Sequence, residues 1–487
     1  MNLVNTQEQT RTEACSKNSG VINKEGHKLS TTLDVSGLYA IGGLLLVILG
    51  ISGIYLRKKD TSWTVQLATL MVSWILISKG IQALIRLLYV PGSFGNVPTG
   101  GVGQEVMDGS WSSVHSSGAL LSGSTGYVTE VLGGMNILLN FFFIFLSAFL
   151  ALVFPINFVY KERTVSIFGI VIFASLLISA ITFAFLPDLP LMEGLVNDPP
   201  AATIWGLIYL YSVFKENKEE PHWKNIADIC ALLMIAILGS YFFYWLGILL
   251  ISDYFLSSGL SGTEMNLMFY APQISMAFSL FGFAILVVGE SYRSWKNEPR
   301  LVSYIVGTYF VVGALSHAVI TLASDDLVNL QSVDMQENLF IQNWQSFTSL
   351  FHFYIGRPLL FMILLFRFNL VDTGTAEQSN LSRITIMLVV VTAATGIMEM
   401  LQEIMPIPQV FSAIILGIAL AFAIGWEERI FDWLVKEEIE VTDPFAELRT
   451  KEPFQNDMAI QRFQRTMVGC LVLIFFSSIL IGFVRMG

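Results

Sequence analysis

About twelve stretches of the chain, each about 17 to 28 residues long, are almost wholly apolar, and about 20 helical residues cross the hydrocarbon core of a bilayer. A water-soluble fold has no interior large enough to hide them. Of the 487 residues 54% are hydrophobic and 13% charged, where soluble domains carry about a quarter charged residues. The sequence therefore predicts an all-α, polytopic integral membrane protein of about 12 transmembrane helices, multi-pass in the cell membrane with the lipid bilayer as its solvent.

The expected spans fall into two sets of six. The first comprises 35–56, 63–90, 131–153, 165–186, 191–214 and 227–251; the second comprises 265–289, 301–323, 347–368, 384–404, 408–424 and 467–484. Two of them are weak: Pro199 and Pro200 are expected to break the fifth, and Pro406 and Pro408 crowd the start of the eleventh. The domain plan is then a polar extracytoplasmic tail over 1–34, a six-helix half over 35–251, and a second half over 252–487 that carries an inner amphipathic loop at 427–465. The tail lacks the basic start, apolar stretch and small-residue cleavage site of a secretory signal, so 35–56 is expected to begin insertion.

Short loops rich in Lys and Arg stay on the cytoplasmic side of a membrane. One class of loop here holds Arg57, Lys58, Lys59, Lys161, Arg163, Lys215, Lys218, Lys224, Arg293, Lys296, Arg300, Arg367, Arg383, Arg429, Lys436, Arg449, Lys451, Arg462 and Arg465. The alternate loops, 91–130, 187–190, 252–264, 324–346 and 405–407, hold no Lys or Arg. Both termini are thereby expected outside, against the dissent of Arg11, Lys17, Lys24 and Lys28 in the tail.

The two halves align in places, as in transporters that arose by duplication. Ser78 and Lys79 of the second span stand at the offset of Ser316 and His317 in the eighth. Asn140 and Asn157, in and after the third span, match His352 and Asn369 in and after the ninth, and Cys230 matches Cys470. Because each half has an even number of spans, such a repeat runs parallel, about a pseudo-twofold axis along the membrane normal.

An ionisable side chain near the middle of a span costs about 2.5–3.5 kcal/mol on insertion scales, so each one is a candidate site. Lys79, His317, His352 and Arg357 are the principal cases, with Asn140 at a matching level. At about 1.5 Å of rise per residue, each histidine lies about 9 Å below the outer end of its span, and the four polar groups Lys79, Asn140, His317 and His352 are expected to form one girdle. Arg357 stands between Gly356 and Pro358, where the proline removes a backbone donor and should kink the helix. It is a candidate anion contact or a partner for Glu399 and Glu403, which share a face of the tenth span. Each of these residues also has a plainer reading as interhelical hydrogen-bond glue or interfacial solvation.

Two loops stand out. Ser124 to Tyr127 share part of the potassium-filter pattern, but Val128 occupies the place of the second glycine. In the loop 427–465, Ile430, Phe431, Leu434 and Val435 fall on one helical face, which is expected to lie on the inner leaflet or to dock a soluble partner.

The net charge of −11, without a free cluster of Lys and Arg, excludes nucleic acid as a partner. Three cysteines make no disulfide framework, and neither a phosphate-binding glycine loop nor a paired-cysteine metal motif occurs. The function expected is a permease or secondary transporter for a small solute or ion, with no cofactor. The alternatives are a membrane redox protein holding haem between His317 and His352, and a noncatalytic scaffold or sensor.

Overall fold

A computed structural model describes residues 36–58, 62–89, 126–159, 161–185, 192–216, 220–251, 267–296, 302–308, 351–404, 428–436 and 457–486, with isolated positions between 311 and 444. These residues are almost entirely helical. In chain order they form α1 (Ser36–Tyr55), α2 (Trp63–Tyr89), α3 (Gly126–Val153), α4 (Glu162–Phe185), α5 (Met192–Lys215), α6 (Pro221–Ile251) and α7 (Leu267–Lys296). A π-helical turn (Phe351–Gly356) runs directly into α8 (Arg357–Arg367), followed by α9 (Ala376–Ile404), a second π turn (Asp432–Lys436) and α10 (Asp457–Met486).

Six of the described helices are long and apolar enough to cross a membrane: α2, α3, α4, α6, α9 and α10. The outward faces agree with that solvent. On α4, Ile170 is 66% and Phe185 67% exposed, and on α10 Phe483 is 72% exposed, an apolar surface that water would not tolerate over such a length. By contrast α2 buries residues all round, Leu67, Leu70, Met71, Val72, Ile75 and Leu76 among them, as a helix at the centre of a bundle must.

Small residues let α1 and α2 approach backbone to backbone. A Cβ on Gly43 would lie 2.8 Å from the Gly80 carbonyl oxygen, and one on Gly50 would lie 2.6 Å from that of Ser73. Contact of this kind replaces the hydrophobic drive that lipid cannot supply between helices.

The helices depart from the expected spans in instructive ways. α6, α9 and α10 begin well before their apolar runs and α7 ends well after its own, always on the side of the basic connections. α6 starts with Pro221 at its first position, where a missing N–H costs nothing. The break expected at Pro199 and Pro200 is absent, since α5 continues through both. At Pro358 the expected disturbance takes the form of the π turn immediately upstream, which absorbs the irregularity without ending the helix. The filter-like Gly126 and Tyr127 open α3, and the Tyr127 hydroxyl reaches the Ile479 carbonyl of α10 at 3.4 Å.

Connections sharing the basic signature meet at one end. Arg57 forms an isolated β-bridge with Val371, the Asp372 N–H donates to the Leu56 carbonyl at 2.6 Å, and Lys58 Nζ donates to Asn369 Oδ1 at 2.7 Å. Asn369 has a φ of 56°, the left-handed conformation that asparagine tolerates better than most side chains. Arg367 donates to the Trp433 carbonyl at 2.5 Å, and its own carbonyl accepts from Ile439 N–H at 2.9 Å.

That last contact corrects the reading of the inner loop. Phe431 and Leu434 are buried, at 4% and 0% exposure, within the protein core, and Ile430 and Val435 pack partly against it. The apolar face of this segment turns onto the protein and not onto the inner leaflet. Helical periodicity shows that a face is apolar without showing which apolar surface covers it.

Candidate functional site

Three buried polar centres occupy the bundle. The first lies between α2 and α3. α2 buries Gln66, Thr69 and Ser73 on one face and Ser78 and Gln82 on another, the second face meeting α3. Lys79 Nζ donates to Asn140 Oδ1 at 2.8 Å and to Gln82 Oε1 at 2.9 Å, and lies 4.0 Å from the centroid of the Phe143 ring. Gln82 Nε2 continues the chain to the Asn136 carbonyl at 3.4 Å, and Ser78 Oγ donates to the Leu139 carbonyl at 2.9 Å. Two amide oxygens and an aromatic face thus bring partial negative charge to the ammonium.

The second centre is the π turn and the start of α8. His352 is fully buried, at 0% exposure, and hydrogen-bonds the Ala236 carbonyl of α6. Arg357 Nε donates to that same carbonyl at 2.8 Å, while Nη2 reaches the Ile237 carbonyl at 3.4 Å and the guanidinium sits 5.0 Å from the Phe353 ring centroid. Glycines on three helices make room for the turn. A Cβ on Gly42 of α1 would lie 2.9 Å from Tyr354 Cα, one on Gly239 of α6 would lie 2.8 Å from His352 Cε1, and one on Gly396 of α9 would collide with the Tyr354 ring.

The third centre joins α5, α6 and α7 at the basic end. Arg293, 1% exposed, pairs with Glu216 at 2.7 Å, Asp228 at 2.6 Å and Glu290 at 2.5 Å. The Tyr209 hydroxyl donates to Glu290 Oε1 at 2.7 Å, and Ser303 Oγ donates to Glu290 Oε2 at 3.2 Å. Burial works against the guanidinium charge, but the attraction of Asp228, Glu290 and Glu216 outweighs it and lifts the Arg293 pKa further above its ordinary value. Gly289 faces the Tyr209 ring so closely that a Cβ there would be 2.5 Å from the hydroxyl oxygen.

Lys79 and Asn140 are therefore brought into direct contact, as are His352 and Arg357 through one shared carbonyl. His317 lies outside the described residues, and Lys79 with Asn140 belong to one centre and His352 to another. Glu399 and Glu403 lie on α9, and their side chains are likewise outside the described residues. The third centre was missed because Arg293 reads as one more base of an inner loop. Its signal was present: Glu290 and Arg293 are three apart, and an acid and a base at that spacing face each other on a helix.

Among the described residues no group of three or more His, Cys, Asp and Glu has an arrangement that could hold a metal ion. No protein-family model, curated protein or solved structure matches the chain.

Proposed function

We propose that this protein is a multi-pass permease or secondary transporter for a small solute or ion, built as 12 spans in two six-helix halves, 35–251 and 252–487, with both termini outside the cell membrane. The single observation that carries the reading is the buried polar centre at His352 and Arg357. It lies where α6 of the first half meets α8 of the second, and polar groups at a half interface are where such transporters hold their cargo. The Lys79 and Asn140 pair supports it, because a lysine inside a span is costly unless it has a task or a compensating shell. In the parallel repeat these two residues correspond to His317 and His352. Lys79, Asn140, His317, His352, Arg357, Glu399 and Glu403 form the proposed binding set.

Alternating access then amounts to one half rocking on the other around these groups. The convergence of the basic connections at one end supports the proposed orientation, since those connections carry the positive charge that stays inside.

The test is release from proteoliposomes loaded with a mixture of small polar solutes, followed by mass spectrometry. At least one solute should leave vesicles carrying the protein faster than empty vesicles, and Arg357→Ala and Lys79→Ala should each abolish the difference while the protein still purifies as a folded species. Equal release from vesicles with and without the protein for every solute, or full activity in both variants, overturns the reading.

A further inference from the structure

A cavity of about 550 Å³ runs along one face of α9, lined by Arg383, Ile384, Met387, Leu388, Val391 and Thr392. We propose that it holds one acyl chain of an anionic phospholipid of the inner leaflet, with the lipid phosphate against Arg383. This rests on the reading of the chain as membrane-embedded and is independent of transport.

The lining residues are spaced as successive turns of one helical stripe, so the groove follows the helix axis. From Arg383 to Thr392 the stripe rises about 14 Å, close to half of a hydrocarbon core of about 30 Å. The groove is therefore the depth of one leaflet. Its lining is apolar below Arg383. Thr392 at the far end donates its hydroxyl to the Leu388 carbonyl at 2.6 Å, which takes that donor out of play and leaves a surface suited to methylenes and unsuited to a polar solute.

The cation stands at one end only. Arg383 opens the groove on the side where Arg367, Lys58 and Asn369 gather, and its guanidinium rests 4.6 Å from the Phe431 ring centroid. A guanidinium presents a planar fork of N–H donors that pairs with phosphate oxygens. Ile384 beside it is 63% exposed, so the groove mouth opens outward.

A second copy of this chain fits the groove less well. Two copies in one membrane share an orientation, so a twofold contact along α9 would place Arg383 opposite Arg383 at equal depth. Like charges at close range oppose that contact, whereas an anionic headgroup is drawn to it.

The experiment is native mass spectrometry of the purified full chain equilibrated with dioleoyl phosphatidylglycerol or dioleoyl phosphatidylcholine. The wild type should retain phosphatidylglycerol about fivefold better, the increment that one basic residue near the surface confers. Arg383→Gln should erase the preference, Arg383→Lys should keep it, and Val391→Trp, which fills the groove, should lower retention of both lipids. Native spectra report the folded species alone, so a misfolded variant does not imitate the result. An undiminished preference in Arg383→Gln, undiminished retention in Val391→Trp, or a dimer mass that Val391→Trp abolishes would each overturn the proposal, the last by assigning the groove to a second copy.

Discussion

The Arg293 and Lys79 centres are each built around one cation, Arg293 buried and Lys79 partly buried, and the partners described at each differ in kind. Arg293 has three carboxylates, and it sits past the end of the seventh apolar run, at the basic end of the bundle. Lys79, within a span, is met by two amide oxygens and a phenyl face. The difference follows from the medium. Full charges are costly to bring into hydrocarbon even in pairs, whereas amides and rings bring partial charge at a smaller desolvation cost.

Removing the guanidinium should separate the two centres most sharply. Arg293→Met leaves three nearby carboxylates without their shared partner, and loss of one member of a buried ion pair costs about 3–5 kcal/mol. Unfolding in detergent, followed by circular dichroism, should show this loss; a change of less than about 1 kcal/mol would mean that Arg293 is not the hub. The π-turn centre, held by packing as much as by polar bonds, should be intermediate. Gly396→Val drives a side chain into Tyr354 and should cost about 1–3 kcal/mol by the same measurement, with no loss for Gly417→Ala, where open space surrounds the Cβ. Lys79→Met should have the smallest effect. It removes hydrogen bonds between helices in a membrane, which are worth about 0.6 kcal/mol on average and up to about 1.7 kcal/mol. If Lys79→Met proves as damaging as Arg293→Met, the contrast between ionic and dipolar stabilisation fails.

The six long apolar helices and the gathering of basic connections were legible because both depend on composition over whole turns. Length of apolar run locates a helix in lipid, and Lys and Arg mark its ends, whatever the packing. The pairing of Lys79 with Asn140 was half legible: the sequence placed them at one level and the structure supplied the contact. The overruns of α6, α7, α9 and α10 were not, since hydropathy ends where the hydrocarbon ends and a helix need not. Nor was the burial of Phe431 and Leu434, because an apolar face of a surface segment looks the same whether lipid or protein covers it. The Arg293 cluster joins residues from three helices, and no local pattern reports a meeting of Glu216, Asp228 and Glu290 across such separations in the chain.

The extra residue wound into the turn at Phe351–Gly356 has a mechanical meaning. To shed it and regain ordinary winding, everything after Gly356 would have to swivel by about 100° about the helix axis. That swivel would carry the Arg357 fork off the Ala236 and Ile237 oxygens and point it at another quarter of the bundle. Gly42, Gly239 and Gly396 give the close approaches that the present winding uses. The turn thus ties the heading of the Arg357 fork to the winding of the six residues before it.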